Sequence, residues 1–359
     1  MTVISGHASM LKRLKRSTLG AARSAGVLDF ARRTSWRQRR LLILGYHGVS
    51  TADEHLWDPE LYIPPDLLRA RLSVLRDGGY AVLPLGEAIR RLYDGSLPPR
   101  SVALTFDDGS VDFHSVALPL LQEFGFPATV YLTSYYCLHQ LPVFNTALRY
   151  ILWKSRDRTL ETNGLTASGK PYRLATAGER EAACVSVLQH CAQRGLTARD
   201  KNDVMVETAT RLGFDYDDLV RRRLLHLMSP DEVSGLPRGL VDVQLHTHRH
   251  RVPADAVAFE QEIVENRTII ANLTSARAAT HFCYPSGVTH PSFPARLGRL
   301  GVETATTCVP GIASSRSNPL LLPRLIDTVA TSPIEFESWL SGVSALLPRR
   351  AVRAENVVS

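Results

Sequence analysis

Leu104-Thr105-Phe106-Asp107-Asp108-Gly109 closes a compact apolar run, Val102–Phe106, with two adjacent carboxylates and a glycine. A short apolar run bounded by turn residues reads as a β-strand, so the two aspartates stand at a strand end. Successive side chains of an extended segment diverge. One carboxylate can therefore take a metal while its neighbour handles a proton. Taken alone, Asp-Asp-Gly is an ordinary turn, and the reading depends on what the rest of the chain brings to the same place.

Working outward, Leu41–Tyr46 is a second apolar run and ends in His47. Val241–Leu245 runs into His246-Thr247-His248-Arg249-His250, and His281–Tyr284 into Pro285-Ser286-Gly287. Tyr80–Leu83, Thr129–Leu132 and Thr304–Val309 complete the strand candidates, with helical patterns between most of them. One helix is expected to open near Asp66, read as its N-cap, and another at Ser229-Pro230, with Ser229 as cap and Pro230 in the first turn. This alternation predicts an α/β fold of parallel strands, and a parallel barrel presents its active site at the strand ends. His246 and His250, four apart, are predicted to share one side of a helical turn. With an aspartate from another strand end they make a three-ligand set that leaves positions open for water, suited to a catalytic zinc or similar divalent ion. His248 is a competing ligand.

The chain has 359 residues, 44% hydrophobic and 21% charged, as in ordinary globular proteins. Its formal charge of +7 is unevenly spread. Residues 1–40 hold ten Lys and Arg against one Asp, a local +9, so the remainder sums to −2. The excess belongs to an N-terminal arm and not to the body, which argues against nucleic acid as a partner. Within the arm, Leu11, Leu14, Thr18, Ala21, Ala25 and Leu28 recur at helical spacing among basic residues. Residues 10–40 are expected either to rest on an anionic membrane surface or to form a solvated tail against the domain. The five cysteines form no CxxC pair, as expected of thiols in a reducing compartment. No apolar run approaches the roughly 18–20 residues of a membrane span, and no secretory signal opens the chain, so a cytoplasmic protein is expected. Residues 135–227 carry helical patterns without a convincing strand and read as an insertion, either a lid over the site or surface bulk. Residues 341–359 read as a C-terminal tail.

The ordered elements Thr105-Phe106-Asp107-Asp108-Gly109, His246-Thr247-x-x-His250 and Phe282-Cys283-Tyr284-Pro285-Ser286-Gly287 resemble those of polysaccharide deacetylases of the NodB-homology type, carbohydrate esterase family 4. Gly45-Tyr46-His47 and Leu322-Pro323-Arg324 are similar to elements of the members that make exopolysaccharides. The resemblance implies a deformed (β/α)7-type barrel over residues 41–340, interrupted by the helical insertion 135–227. It implies Asp108, His246 and His250 as metal ligands, Asp107 as catalytic base, His47 as general acid, the Ser286 backbone N–H as an oxyanion donor, and Arg324 as the group that orients the base. The implied cofactor is a divalent ion, zinc first. The implied substrate is an N-acetylated glycan or lipid-linked saccharide of a bacterial surface polysaccharide. The sequence also departs from the family: Cys283 stands where many members have an arginine that pairs with the base, and the C-terminal region lacks the late Leu-x-His acid. That absence favours His47 as the acid, and a catalytically silent carbohydrate-binding or scaffold protein is the alternative that Cys283 and the large helical insertion motivate.

Overall fold

The apolar runs become the strands of one curled parallel sheet. In the computed structural model, residues 2–274 and 279–347 are described, with side chains from Lys12 onward. The strands are β1 (Leu42–Tyr46), β2 (Ser101–Phe106), β3 (Ala128–Leu132), β4 (Val241–Leu245), β5 (His281–Cys283), β6 (Thr304–Thr306) and β7 (Leu325–Ile326). Their order is β6-β5-β4-β3-β2-β1-β7, and each pairing is parallel. A parallel bridge between Thr306 and Leu322, just ahead of β7, links the two edges, so the sheet curls into the expected seven-stranded barrel. A short strand, Ala81–Val82, pairs with the start of β2. Every residue of β1 and β2 is buried. Burial of both faces explains why these strands read as continuous apolar runs and not as alternating ones.

Register converts distant sequence motifs into neighbours. Tyr46 lies opposite Phe106, and Asp107 N donates to Tyr46 O at 2.8 Å, which sets His47 beside Asp107. Leu245 pairs with Leu132 and with Phe282, so His246 follows next to Thr133 and Cys283. Gly45 pairs with Ile326, bringing the segment that carries Arg324 against β1.

The helices differ from the expectation in one local respect. The helix Pro65–Asp77 begins two residues early, with Pro64 as N-cap and Pro65 in the first turn; Asp66 is not the cap. Proline fits that position because its missing N–H has no partner there anyway. Ser229 and Pro230 behave as expected, and Ser229 completes a capping box with Glu232.

After a short helix, Ser134–His139, the chain folds four further helical segments before Pro230, Phe144–Lys154, Ala177–Gln193, Ala198–Arg211 and Tyr216–Arg221, around an apolar core of their own. It also holds a two-residue antiparallel pair, Thr159–Leu160 with Tyr172–Arg173, too short to leave a period in the sequence. Tyr62, from the loop after β1, belongs to this second core. The Tyr150 hydroxyl donates to Asp53 at 2.6 Å and Lys154 pairs with it at 2.8 Å, pinning the insertion to that loop.

The arm is helical over Thr2–Ser24, Val27–Arg33 and Ser35–Gln38, broken at Gly26 with φ 73°. Leu19 and Leu28 are buried. Lys15 and Arg16 pair with Glu335 at 3.2 and 3.0 Å, and Arg23 with Glu337 at 3.2 Å, on the helix Pro333–Ser341. Arg37, counted among the arm's basic residues, is fully buried and donates to the carbonyls of Leu340 and Arg40 at 2.7 and 2.8 Å. The stretch read as a tail opens with a short helix, Val343–Leu346, whose Ser344 bonds Ser338 at 2.7 Å; residues 348–359 lie outside the described residues. Among the described residues no helix is long and apolar enough to cross a membrane.

Candidate active site

Asp108 takes a left-handed backbone, φ 70°, followed by Gly109 at φ 80°. Its Oδ1 lies 3.2 Å from His246 Nε2 and 3.1 Å from His250 Nε2. That oxygen is buried and makes no hydrogen bond. His246 Nδ1 donates to the Cys283 carbonyl at 2.9 Å, which turns the Nε2 lone pair toward Asp108. Its backbone N–H donates to Asn266 Oδ1 at 3.0 Å, and Asn266 Nδ2 holds Leu132 O and Ser134 Oγ, both at 2.9 Å.

The histidine pair does not share a helical turn, as its spacing suggested. Residues 246–250 form a loop in which Thr247 (φ 63°) and His250 (φ 53°) are left-handed. Buried Glu262 holds that loop, accepting from Arg249 N at 2.7 Å and Arg251 Nε at 2.9 Å. The bends return His250 to His246 and turn His248 away, where its Nδ1 meets Ser134 Oγ at 2.9 Å and its ring meets Tyr135 edge-on. His248 therefore does not join the ligand group.

Asp108, His246 and His250 bring three ligand atoms within 4.8 Å of one another, and a carboxylate with two imidazoles suits zinc or a similar divalent ion. A buried carboxylate oxygen flanked only by imidazole nitrogens is what a cation would need. Burial opposes ionisation of Asp108, yet the two histidines hold its carboxyl well below the usual range; Asp108 in turn raises His250 against the same burial. Asp107, His246 and Cys283 also converge within 4.8 Å. There the Arg324 guanidinium already occupies Asp107 and Cys283, so that second cluster is unsuited to a cation.

Asp107 is buried behind the ligand set. Arg324, fully buried, meets it with Nη1 to Oδ1 at 2.7 Å and Nη2 to Oδ2 at 2.8 Å, the two-point geometry natural to arginine. Thr307 O and Thr105 Oγ1 fix the guanidinium, each at 3.1 Å. Cys283 Sγ sits 3.5 Å from Asp107 Oδ2 and 3.1 Å from Arg324 Nη2. Burial alone would raise the Asp107 carboxyl; Arg324, with smaller help from His47 and His246, overrides it and lowers it to about 2. His47 Nε2 lies 3.6 Å from Asp107 Oδ2, and its buried Nδ1 has no partner. Ser286 is left-handed, φ 53°, ahead of Gly287 at φ 68°.

His47, Asp108, His250 and Ser286 open onto a cavity of about 560 Å³, while Asp107, His246 and Arg324 lie behind it. Sequence reasoning missed Asn266 and Glu262, which resemble ordinary polar positions of a helix. It also missed Asp112, whose Oδ1 accepts from Val49 N at 2.9 Å and Ser110 Oγ at 2.7 Å, tying the loop after His47 to the loop after Asp108. Burial pushes Asp112 up to about 7 although both donors favour its ionised form. Its spacing in Asp107-Asp108-Gly109-Ser110-Val111-Asp112 was the available signal. His226 and Tyr136 also reach the cavity wall, whereas Trp57 packs on Tyr62 and Tyr150.

Residues 94–149 match the family model of polysaccharide deacetylase. YxkH of Bacillus subtilis is 33% identical over 94 residues, covering 26% of this chain and 32% of the relative. The poly-beta-1,6-N-acetyl-D-glucosamine N-deacetylase of Escherichia coli K12 is 32% identical over 95 residues, 26% of this chain and 14% of that protein. The chain thus matches about a third or less of the length of these curated relatives. Among solved structures, the Streptococcus pyogenes deacetylase PplD in complex with acetate superposes with a TM-score of 0.55 at 18% identity, over 87% of this chain and all of the other. That likeness is one of fold, the (β/α) barrel. The resemblance to NodB-type polysaccharide deacetylases that the motifs carry therefore holds.

Proposed function

We propose that this chain, a polysaccharide deacetylase by motif and fold, is a metal-dependent hydrolase that removes N-acetyl groups from amino sugars of a bacterial surface polysaccharide or its precursor. The observation that carries the reading is the Asp108-His246-His250 group beside the Asp107–Arg324 pair, at the mouth of one cavity. Asp108, His246 and His250 would hold the ion, zinc by preference. When bound, such an ion polarises an amide carbonyl and acidifies water.

The remaining work falls to the chain's own groups. Asp107 accepts the water's proton, kept ionised for the purpose by Arg324. A carboxylate held near 2 retains a proton only briefly, and His47 stands 3.6 Å away to deliver one to the departing amine. The Ser286 backbone N–H steadies the developing oxyanion, a type of contact whose loss costs roughly 10²–10³ in rate. The silent alternative loses its main motive, because Arg324 gives Asp107 the cationic partner that Cys283 cannot.

The free thiols favour a reducing compartment, and the exposed basic residues of the arm outside its ion pairs, Lys12, Arg13, Arg33 and Arg39, favour contact with an anionic membrane face. We therefore assign the protein to the cytoplasm, at the membrane surface, during glycan synthesis; recovery from the periplasm on fractionation would contradict this. The activity is tested by incubating zinc-loaded protein with N-acetylglucosamine oligomers or lipid-linked precursors. Acetate release is expected, and Asp107→Asn should abolish it while zinc still binds. Glycan binding without turnover under any metal, and unaltered in Asp107→Asn, would restore the silent alternative.

A further inference from the structure

The last leg of the insertion runs antiparallel to the loop that carries Asp108. Val111 N donates to His226 O at 3.0 Å, Met228 N to Gly109 O at 2.9 Å, and Ser110 and Leu227 form a bridge. On this leg Arg223 and Leu225 are both left-handed, φ 53° and 60°. A leucine rarely accepts that backbone, because its Cβ crowds the adjoining carbonyl. Such conformations persist where the surroundings dictate them, commonly at functional sites. Here the Arg223 guanidinium grips both oxygens of Glu232, at 2.6 and 2.9 Å, and Val143 N donates to Leu225 O at 2.9 Å.

The consequence is a hydrocarbon wall. Leu225 and Leu227 line the cavity into which Asp108 and His250 open, together with Val143, Leu61, Tyr62 and Ile326. These side chains offer sugar hydroxyls no partner, whereas Glu60, Tyr136, Thr146 and His226 elsewhere in the lining do, and the cavity is far larger than an acetyl group requires. An apolar wall with a few convergent polar groups is the usual build of a small-molecule site.

We infer that the insertion forms an apolar subsite beside the reacting amide, so that the favoured substrate is an N-acylated amino sugar carrying a hydrocarbon segment next to that amide. The inference rests on the deacetylase reading for the identity of the amide. The hydrocarbon can enter from either side of the sugar, as the acyl chain or as the alcohol part of a glycoside, and the test separates the two.

Binding to zinc-loaded protein is measured by calorimetry for two pairs: N-acetyl- against N-hexanoylglucosamine, and the methyl against the octyl glycoside of N-acetylglucosamine. Release of the acyl acid is followed in parallel. Each buried methylene is worth about fourfold in affinity, so burial of even about two of the added methylenes makes the longer member of one pair bind on the order of tenfold more tightly. Leu225→Asn should erase that preference, since asparagine tolerates the left-handed backbone but offers no hydrocarbon. Val143→Thr, nearly equal in shape, is the second variant should the first fold poorly, and it should weaken the preference. Equal binding within both pairs, or a preference untouched in the folded variants, overturns the inference. A preference without acyl release keeps the subsite and sinks the hydrolytic reading; release without a preference does the reverse.

Discussion

Replacing Arg324 by methionine leaves Asp107 as an unpaired carboxylate in a fully buried place, with its two-point contacts at 2.7 and 2.8 Å removed. In the native protein the carboxyl falls from 3.8 to about 2, equivalent to about 2 kcal/mol of stabilisation. Because the folded value is depressed, this contribution is present above pH ~4 and is lost as the pH falls through about 2. In Arg324→Met burial is opposed only by the weaker pull of His47 and His246, and the carboxyl rises. The variant should be less stable by about 3–5 kcal/mol near pH 7, the usual cost of breaking a buried pair. The deficit should shrink as the pH falls, since protonating Asp107 removes the unpaired charge. Urea unfolding of metal-free protein from pH 8 down to pH 4 measures this directly. The acid limb of acetate release should also move upward, because the base is now protonated at higher pH. A loss below about 1 kcal/mol at every pH, with an unmoved acid limb, would refute the assignment of Arg324 as the group that keeps Asp107 ionised.

Asp112 works with the opposite sign: its folded value of about 7 lies above that of the unfolded chain, so it destabilises as the pH rises from about 4 to about 7. Asp112→Asn, which can still accept from Val49 and Ser110, should stabilise by up to about 4 kcal/mol at pH 8 and by nothing at pH 4, read from thermal melts across that range. Gly287→Ala places a Cβ 2.9 Å from that of Cys308 on a backbone with φ 68°, and should cost about 1–3 kcal/mol. As it also displaces Ser286, kcat should fall more than KM rises; wild-type kinetics in a folded variant would exclude Ser286 from the reaction.

The barrel was legible because its strands are buried on both faces and so appear as apolar runs, each ending at a polar group. The site was legible to the same extent, since parallel register carries strand ends to one side: pairing Tyr46 with Phe106 sets His47 beside Asp107 without any sequence proximity. Loop geometry was not. The four-residue spacing of His246 and His250 suggested a helical turn, whereas two left-handed residues bring the rings together, and nothing local marks Thr247 or His250 for that backbone. Charge at the ends of the chain misled for a related reason. Arg37 counts as one of the arm's basic residues, but carbonyls from both ends of the chain satisfy it in the interior, and long-range acceptors leave no trace beside it in sequence.

The most direct measurement is zinc stoichiometry by titration of metal-free protein, compared across single substitutions. One equivalent should bind to the wild type, and Asp108→Asn, His246→Ala and His250→Ala should each lose it. His248→Ala and Cys283→Ser should retain it. Failure of the wild type to bind, or unchanged binding in Asp108→Asn, would contradict a metal held jointly by the loop after β2 and the loop after β4.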